Sequence, residues 1–403
     1  MPTVGVIGVG TMGAGIAQIA AQAGWNVLLR DATTEAAQKG LANIRAQIRK
    51  LADKGKLDPA AAESASQRVA LAAAAADFAP CDLIIEAVLE DLELKMRLLG
   101  EAAHAAPAAL LASNTSSLSI SKLARGIGQP ARTIGMHFFN PVPLMQLVEV
   151  IQGLPESAPA CERVLKIARE WGKTPVRCAD HPGFIVNRVA RGYYLEPLRM
   201  LVEGVASVEE LDKTLTTAAG FRMGPFTLMD LIGIDVNYAV SCSVWEQLGR
   251  PARLKPSEVQ ERLVKAGCFG RKTGRGAYDY SREHALAALP FERRSFALPE
   301  EIDAAVRRFA AAAGVADGSQ TEQYICARTL AAICNEAALA LDDKVAAEAD
   351  IDTAMKLGTN YPHGPIEWAR RAGVNTTRHL LEKLNTTAPD GRFAPARWWT
   401  SAG

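Results

Sequence analysis

A histidine and a glutamate, His137 and Glu149, lie twelve residues apart in the stretch GMHFFNPVPLMQLVEVI. One ends an apolar run and the other sits inside the next. An imidazole oriented by a carboxylate is a general base suited to removing a hydroxyl proton while a hydride leaves the same carbon. Such chemistry needs a hydride acceptor, and the opening residues offer it a seat. Thr3–Ile7 (TVGVI) reads as a short buried strand, Gly8-Val9-Gly10-Thr11-Met12-Gly13 as a glycine turn, and AGIAQIAAQAG as a helix stopping at Gly24. NVLLRD then forms a second strand ending at Asp31, an acid 18 residues after the third glycine. Gly8 permits the tight turn, Gly10 lets backbone approach a pyrophosphate, and Gly13 lets helix and strand pack closely. The helix N-terminus supplies amide donors to the phosphates. Asp31 accepts from the adenosine ribose hydroxyls and repels a 2′-phosphate, which favours NAD over NADP; the adjacent Arg30 softens that preference. SNTSSLSI, from Ser113, ends the run ALLA. It lacks the G-x-S-x-G elbow of a serine nucleophile, so Ser116 is expected to donate a hydrogen bond to a substrate oxygen.

The elements that must position these groups are legible as short apolar runs. DLIIEA, ALLAS, TIGMH and LVEVI, separated by turn signals, are the strands of a parallel sheet covered on both faces. Residues 35–66 read as one helical insertion rich in Lys and Arg. Beyond His181-Pro182-Gly183 the chain reads as helices. The expected architecture is an α/β Rossmann-type N-terminal domain with a mainly parallel sheet, followed by two tandem all-α units. Its divisions are 1–183, 184–282, a linker over 283–318 with at most one helix (EEIDAAVRRFAAAAG), and 319–403. The second helical unit repeats the first at an offset of 140: Glu196 matches Glu336, Asp212 matches Asp352, Gly224-Pro225 matches Gly364-Pro365, and Gly233 falls on Gly373. Arg188 falls on Arg328, but Asn187 falls on Ala327, so the second copy is expected to form no active site.

Composition excludes several classes. With 403 residues, 49% hydrophobic and 22% charged, and a net charge of +1, the chain gives no electrostatic reason to expect nucleic acid or an anionic membrane as partner. No apolar run approaches the roughly 18 residues of a membrane helix. No Lys or Arg precedes Arg30, so the glycine-interrupted opening is not read as an export signal, and a cytoplasmic protein is expected. Seven cysteines without a C-x-x-C pair are expected to be reduced thiols and to bind no metal.

The motifs GVGTMGAGIA, IEAVLEDLELK, SNTSSLSI, GMHFFNPVPLMQLVEV, HPGFIVNRV, GPFTLMDLIG and GRKTGRGAYDY, in this order, resemble the L-3-hydroxyacyl-CoA dehydrogenase family. The resemblance is strongest to its bacterial 3-hydroxyadipyl-CoA and 3-hydroxybutyryl-CoA branch, whose longer members duplicate the C-terminal domain. It implies reversible NAD-dependent oxidation of (3S)-3-hydroxyacyl-CoA, of short-chain or dicarboxylic type, in fatty-acid or phenylacetate-type catabolism. By position it makes His137 the base, Glu149 its partner, and Ser116 and Asn187 the holders of the reacting oxygen and the thioester. Glu90, Lys95, Asn140 and Lys272 fall at cofactor positions, and Lys54 at a CoA contact. Gln47 replaces the family's serine at a second CoA contact. Arg49, Lys50, Lys54 and Lys56 would meet CoA phosphates, and Arg188, Arg191 and Arg222 are candidates for a second carboxylate on the acyl chain. The resemblance also implies pairing through the helical domain, so the tandem copies are expected to form an intramolecular pseudo-dimer, with a further homodimer through another face as an addition. Two other functions compete: a dehydrogenase of a free hydroxy or sugar acid, against which the basic insertion argues, and an inactive NAD-binding structural protein, against which intact His137, Glu149, Ser116 and Asn187 argue.

Overall fold

The computed structural model describes residues 1–281, 286–295 and 297–401, in two units, Met1–Phe184 and Ile185–Gly403. The expected boundary at 282/283 and the last two residues of the expected tail lie outside the described residues.

The first unit is built on strands β1 (Thr3–Ile7), β2 (Asn26–Arg30), β3 (Val69–Leu71), β4 (Leu83–Glu86), β5 (Leu110–Ser113), β6 (Thr133–Phe138), β7 (Leu147–Gln152) and β8 (Thr174–Ala179), in the order 3-2-1-4-5-6-7-8. All neighbours pair in parallel except β6 and β7, which are antiparallel. Helices α1 (Thr11–Gln22), α2 (Thr34–Asp53), α3 (Pro59–Gln67), α4 (Leu92–Ala105), α5 (Ile120–Gly126) and α6 (Ala158–Glu170) connect the strands. Strands β1, β4, β5 and β6 are buried at every residue, which is why they read as unbroken apolar runs. The two unforeseen strands lie at the sheet's edges. β3 has three residues, and β8 carries Pro175 and Arg177 on a half-exposed strand. The helical stretch expected over residues 35–66 is helical and divides into two helices. α2 ends at Asp53, Gly55 takes φ +65°, and Asp58 caps α3 by accepting from the Ala61 amide at 2.9 Å, with Pro59 in its first turn.

The second unit contains α7 (Val186–Val189), α8 (Arg191–Val202), α9 (Val208–Thr217), α10 (Pro225–Ile232), α11 (Ile234–Gln247), α12 (Glu258–Lys265), α13 (Glu300–Ala313), α14 (Gln320–Asp342), α15 (Glu348–Thr359), α16 (Pro365–Ala372), α17 (Val374–Thr386) and α18 (Trp398–Ser401). The repeat is structural: α9, α10 and α11 recur at the same offset as α15, α16 and α17. Each matched pair of residues has one job in both copies. Asp212 accepts from the amides of Phe226 and Thr227 at 2.8 and 2.9 Å, and Asp352 from those of Ile366 and Glu367 at 2.8 and 3.1 Å. Each thus caps the helix that follows its Gly-Pro pair. Gly233 and Gly373 both take positive φ, 104° and 87°. Helix α14 packs on α8, and the matched charges cross between copies. Arg188 bonds Glu336 at 2.7 Å, and Arg328 bonds Glu196 at 2.7 Å.

Two expectations change here. The stretch read as a linker carries α13, whose Ile302, Val306 and Phe309 are buried and which packs on α14, α16 and α17; it is part of the helical core. Helix α14 is 23 residues and apolar enough by length and composition to cross a membrane, contrary to the reading that no run approaches that length. Most of it is buried against neighbouring helices, and a helix covered on all sides is apolar all round.

Candidate active site

Sterics shape the glycine turn between β1 and α1. Gly8 sits at φ +88°, and a Cβ on Gly13 would lie 1.8 Å from the Gly8 carbonyl oxygen, so α1 can approach β1 only without side chains at both positions. A Cβ on Gly10, by contrast, would meet nothing within 4 Å. The open space is on the side where a pyrophosphate would lie, against the first turn of α1 with Thr11 and Met12. At the end of β2, Asp31 accepts from the Val9 amide at 2.6 Å and the Ala32 amide at 2.7 Å, fixing its carboxylate beside the turn. Arg30, next to Asp31, pairs with Glu101 at 3.1 Å.

A cleft of about 940 Å³ opens over this turn, walled by Gly10, Thr11 and Asp31. Along α2 it is lined by Lys39, Asn43, Gln47, Lys50 and Lys54, spaced three or four residues apart on one helical face, and Lys56 follows. Pro141, Pro143 and Leu144 form another wall. Arg49 is exposed and does not line the cleft. The empty cradle at Gly10, the amide-rich helix end and the fixed carboxylate suit an adenine dinucleotide, and the row of lysines suits further phosphates.

His137 and Glu149 face each other across the antiparallel β6–β7 pair, in direct register. Residues directly opposite on neighbouring strands share a face, so a separation of twelve residues in sequence becomes 2.7 Å between His137 Nδ1 and Glu149 Oε2. Both are buried, Glu149 completely. With Glu149 ionised, Nδ1 carries the proton and donates, which leaves the Nε2 lone pair for a substrate proton. The rings of Phe139 and Phe184 stand 4.6 and 5.9 Å from the imidazole. Asn114, which sequence reasoning missed, accepts from the Phe138 amide at 2.9 Å and ties the end of β5 to the strand that carries His137.

Glu90 is the hub of the segment after β5. Its Oε1 accepts from Thr115 Oγ1 at 2.6 Å, from the amides of Ser116 and Ser117 at 3.0 Å each, and from Ser117 Oγ at 2.9 Å. Burial pushes its carboxyl up, but the Thr115 hydroxyl, the Lys95 ammonium and the other donors outweigh it and hold it below the usual range. Glu90 thus positions Ser116 through its backbone. Lys95 is 1% exposed; its Nζ donates to both Glu86 oxygens at 3.0 and 2.9 Å, to the Val88 carbonyl at 3.3 Å, and pairs with Glu90 at 3.3 Å. Its place is beneath the site, bracing Glu90. Glu86, which also accepts from the Ser113 hydroxyl, was missed as well. An acid closing the apolar run DLIIEA was the signal for it.

Asn140 is exposed on the loop after β6. In the helical unit, the carbonyl of Asn187 accepts from Arg191 Nε at 2.9 Å, and Lys272 pairs with Asp235 at 2.6 Å. Of the three arginines considered for a second carboxylate, two are committed internally. Arg188 is fully buried on Glu336 and Asp343, and Arg191 is buried with bonds to the Asn237 carbonyl and Ser241 Oγ. Arg222 is exposed.

The chain matches the model of the 3-hydroxyacyl-CoA dehydrogenase NAD-binding domain over residues 3–181 and that of the C-terminal domain over 183–280 and again over 324–402. It is 40% identical to 3-hydroxyadipyl-CoA dehydrogenase of Escherichia coli, over 98% of this chain and 95% of that one. Among solved structures, a 3-hydroxybutyryl-CoA dehydrogenase of E. coli superposes with a TM-score of 0.88 at 37% identity, covering 100% of this chain and 98% of the other. An (S)-3-hydroxybutyryl-CoA dehydrogenase of Ralstonia eutropha covers 70% of this chain and 100% of its own at 40% identity and a TM-score of 0.67. A dinucleotide turn, a histidine–carboxylate pair and a helical domain matched twice thus coincide with domain models covering most of the chain, which belongs to the 3-hydroxyacyl-CoA dehydrogenase family.

Proposed function

We propose that the enzyme, an NAD-dependent 3-hydroxyacyl-CoA dehydrogenase, acts on short-chain or dicarboxylic substrates such as 3-hydroxybutyryl-CoA and 3-hydroxyadipyl-CoA, with His137 as its base. The reaction is NAD + (3S)-3-hydroxyacyl-CoA ⇌ NADH + 3-oxoacyl-CoA + H⁺. Bound NAD supplies the hydride acceptor. His137 Nε2 takes the hydroxyl proton as the C3–H bond breaks, and Glu149 stabilises the resulting imidazolium through its bond to Nδ1. In the reverse direction the imidazolium returns the proton to the carbonyl oxygen. Ser116, held by Glu90, donates to the reacting oxygen, and Asn187 holds the thioester. Gly8, Gly10, Thr11, Met12, Gly13 and Asp31 hold the adenosine diphosphate half of NAD, Glu90 with Lys95 beneath it, Asn140 and Lys272 serve the nicotinamide half, and Lys54 with Gln47 meets CoA. The observation that carries this reading is the buried 2.7 Å pair of His137 and Glu149 in the unit that bears the dinucleotide turn.

The two helical copies act as an intramolecular pseudo-dimer. The support is reciprocity: Arg188 to Glu336 is matched by Arg328 to Glu196, the pattern a two-fold interface requires when one chain supplies both halves. Seven cysteines without a disulfide among the described residues accord with a cytoplasmic setting.

Oxidation of NADH with acetoacetyl-CoA, followed at its absorbance band and compared with free acetoacetate, tests the reading. Turnover of the thioester with little of the free acid is expected. Equal rates would favour a free-acid dehydrogenase, and no turnover of either would remove the short-chain substrate.

A further inference from the structure

Lys173, between α6 and β8, is a buried cation outside the dyad and the glycine turn. Its side chain is 8% exposed, no carboxylate pairs with it among the described residues, and burial pushes its ammonium down to about 8. Burying a lysine without a counter-charge is costly unless its protons find strong acceptors. Here they find two backbone carbonyls, those of Val142 at 2.5 Å and Met145 at 2.8 Å. Both belong to the loop joining β6 to β7, and hence His137 to Glu149.

That loop is also a wall of the cleft. Its turn closes on itself, with the amides of Leu144 and Met145 both donating to the Pro141 carbonyl at 3.0 Å, and it exposes Pro141, Pro143 and Leu144 to the cleft. On its inner side it presses against α1. A Cβ on Gly15 would come within 2.7 Å of Val142 Cβ and 3.4 Å of Pro143 Cδ. Gly15 lies one turn into the helix whose N-terminus faces the phosphate cradle. The loop is therefore wedged between the nucleotide helix on one side and the Lys173 ammonium on the other, with Asn140 at its start.

We propose that Lys173 is a positioning residue for the dinucleotide: by holding the carbonyls of Val142 and Met145 it seats the β6–β7 loop against α1 and completes the cofactor wall. This rests on the cleft being the NAD site. The dyad itself is held by the β6–β7 ladder, in which His137 and Glu149 are opposed in register, so loosening the loop acts on cofactor affinity before it acts on the chemical step.

The test uses the full chain. Lys173→Met is expected to weaken NADH binding, read by nicotinamide fluorescence, by about 10-fold or more, with kcat at saturating NADH changed less than about 3-fold, a split that general destabilisation would not produce. Lys173→Arg keeps a charged donor, in a longer and planar group, and should bind NADH more tightly than Lys173→Met. Gly15→Ala pushes the same loop from the other side and should show the same split; combined with Lys173→Met it should cost less than the product of the two effects. If Lys173→Met does not fold, Gly15→Ala decides: weakened NADH binding at near-native kcat supports the proposal, and unchanged binding overturns it. A folded Lys173→Met protein that loses thermal stability but binds NADH like wild type also overturns it. Failure of the wild-type protein to bind NADH would instead refute the assignment of the cleft.

Discussion

Replacing Arg328 by Met tests a buried contact between the two helical copies. The guanidinium is 1% exposed, donates to Glu196 at 2.7 Å and to Glu203 at 2.5 and 2.9 Å, and bridges the second copy to the first. Glu196 is itself buried, and burial alone would raise its carboxyl; Arg328, then Arg199 and Arg392, overcome this and pull it down to about 2. Breaking a buried pair by removing one partner costs about 3–5 kcal/mol, and because Arg199 and Arg392 remain we expect about 2–3 kcal/mol here. The acid dependence follows from the same residue. A carboxyl lowered from 4.5 to about 2 contributes about 3 kcal/mol of stability above pH ~4.5, lost as pH falls towards ~2. Urea unfolding followed by circular dichroism should therefore show the Glu196→Gln deficit shrinking as pH drops through that window. The double-mutant cycle with Arg328→Met should give a coupling of at least about 1.5 kcal/mol at pH ~7. The pseudo-symmetric cycle, Arg188→Met with Glu336→Gln, should give a coupling of similar size. Additivity within about 0.5 kcal/mol in both cycles would refute the claim that these pairs join the copies.

Three further outcomes are expected. Asp31→Ala should narrow the preference for NAD over NADP by about 10-fold or more, the scale of one charge contact at a half-exposed site; equal kcat/KM for both cofactors in the wild type would contradict the role given to Asp31. Lys54→Glu should raise KM for an acyl-CoA while sparing the matching acyl-pantetheine, which lacks the nucleotide phosphates, and equal losses on both would place Lys54 in the fold instead. Glu149→Gln should lower kcat by about 10-fold or more while NADH affinity holds, because it removes the charge that stabilises the imidazolium, and native turnover would exclude that role.

What was legible in the sequence was whatever a single local pattern encodes. TVGVI with its glycine turn and the four later runs are strands covered on both faces, so they are mostly apolar, while NVLLRD alternates between buried and half-buried residues. β3 and β8 escaped because edge strands tolerate a short run, a proline or an arginine. The division of residues 35–66 into two helices is written in Asp58-Pro59, a cap followed by a first-turn proline. The repeat was visible as matched letters, while the reasons for the match are three-dimensional: Asp212 and Asp352 each cap a helix fourteen residues on, and Glu196 and Glu336 each receive the other copy's arginine. The same distance hid Glu86, Asn114 and the Lys173 clamp, whose partners come from separate segments. It also made Arg188 and Arg191 look available when both are spent inside the helical unit.

The central claim is that His137 moves the proton in a hydride transfer at a 3-hydroxyacyl thioester. Its most direct test is the His137→Gln variant, measured with acetoacetyl-CoA and NADH alongside direct NADH binding. A fall in kcat of at least about 10²-fold with NADH affinity essentially unchanged is predicted. Near-native turnover by that variant would contradict it.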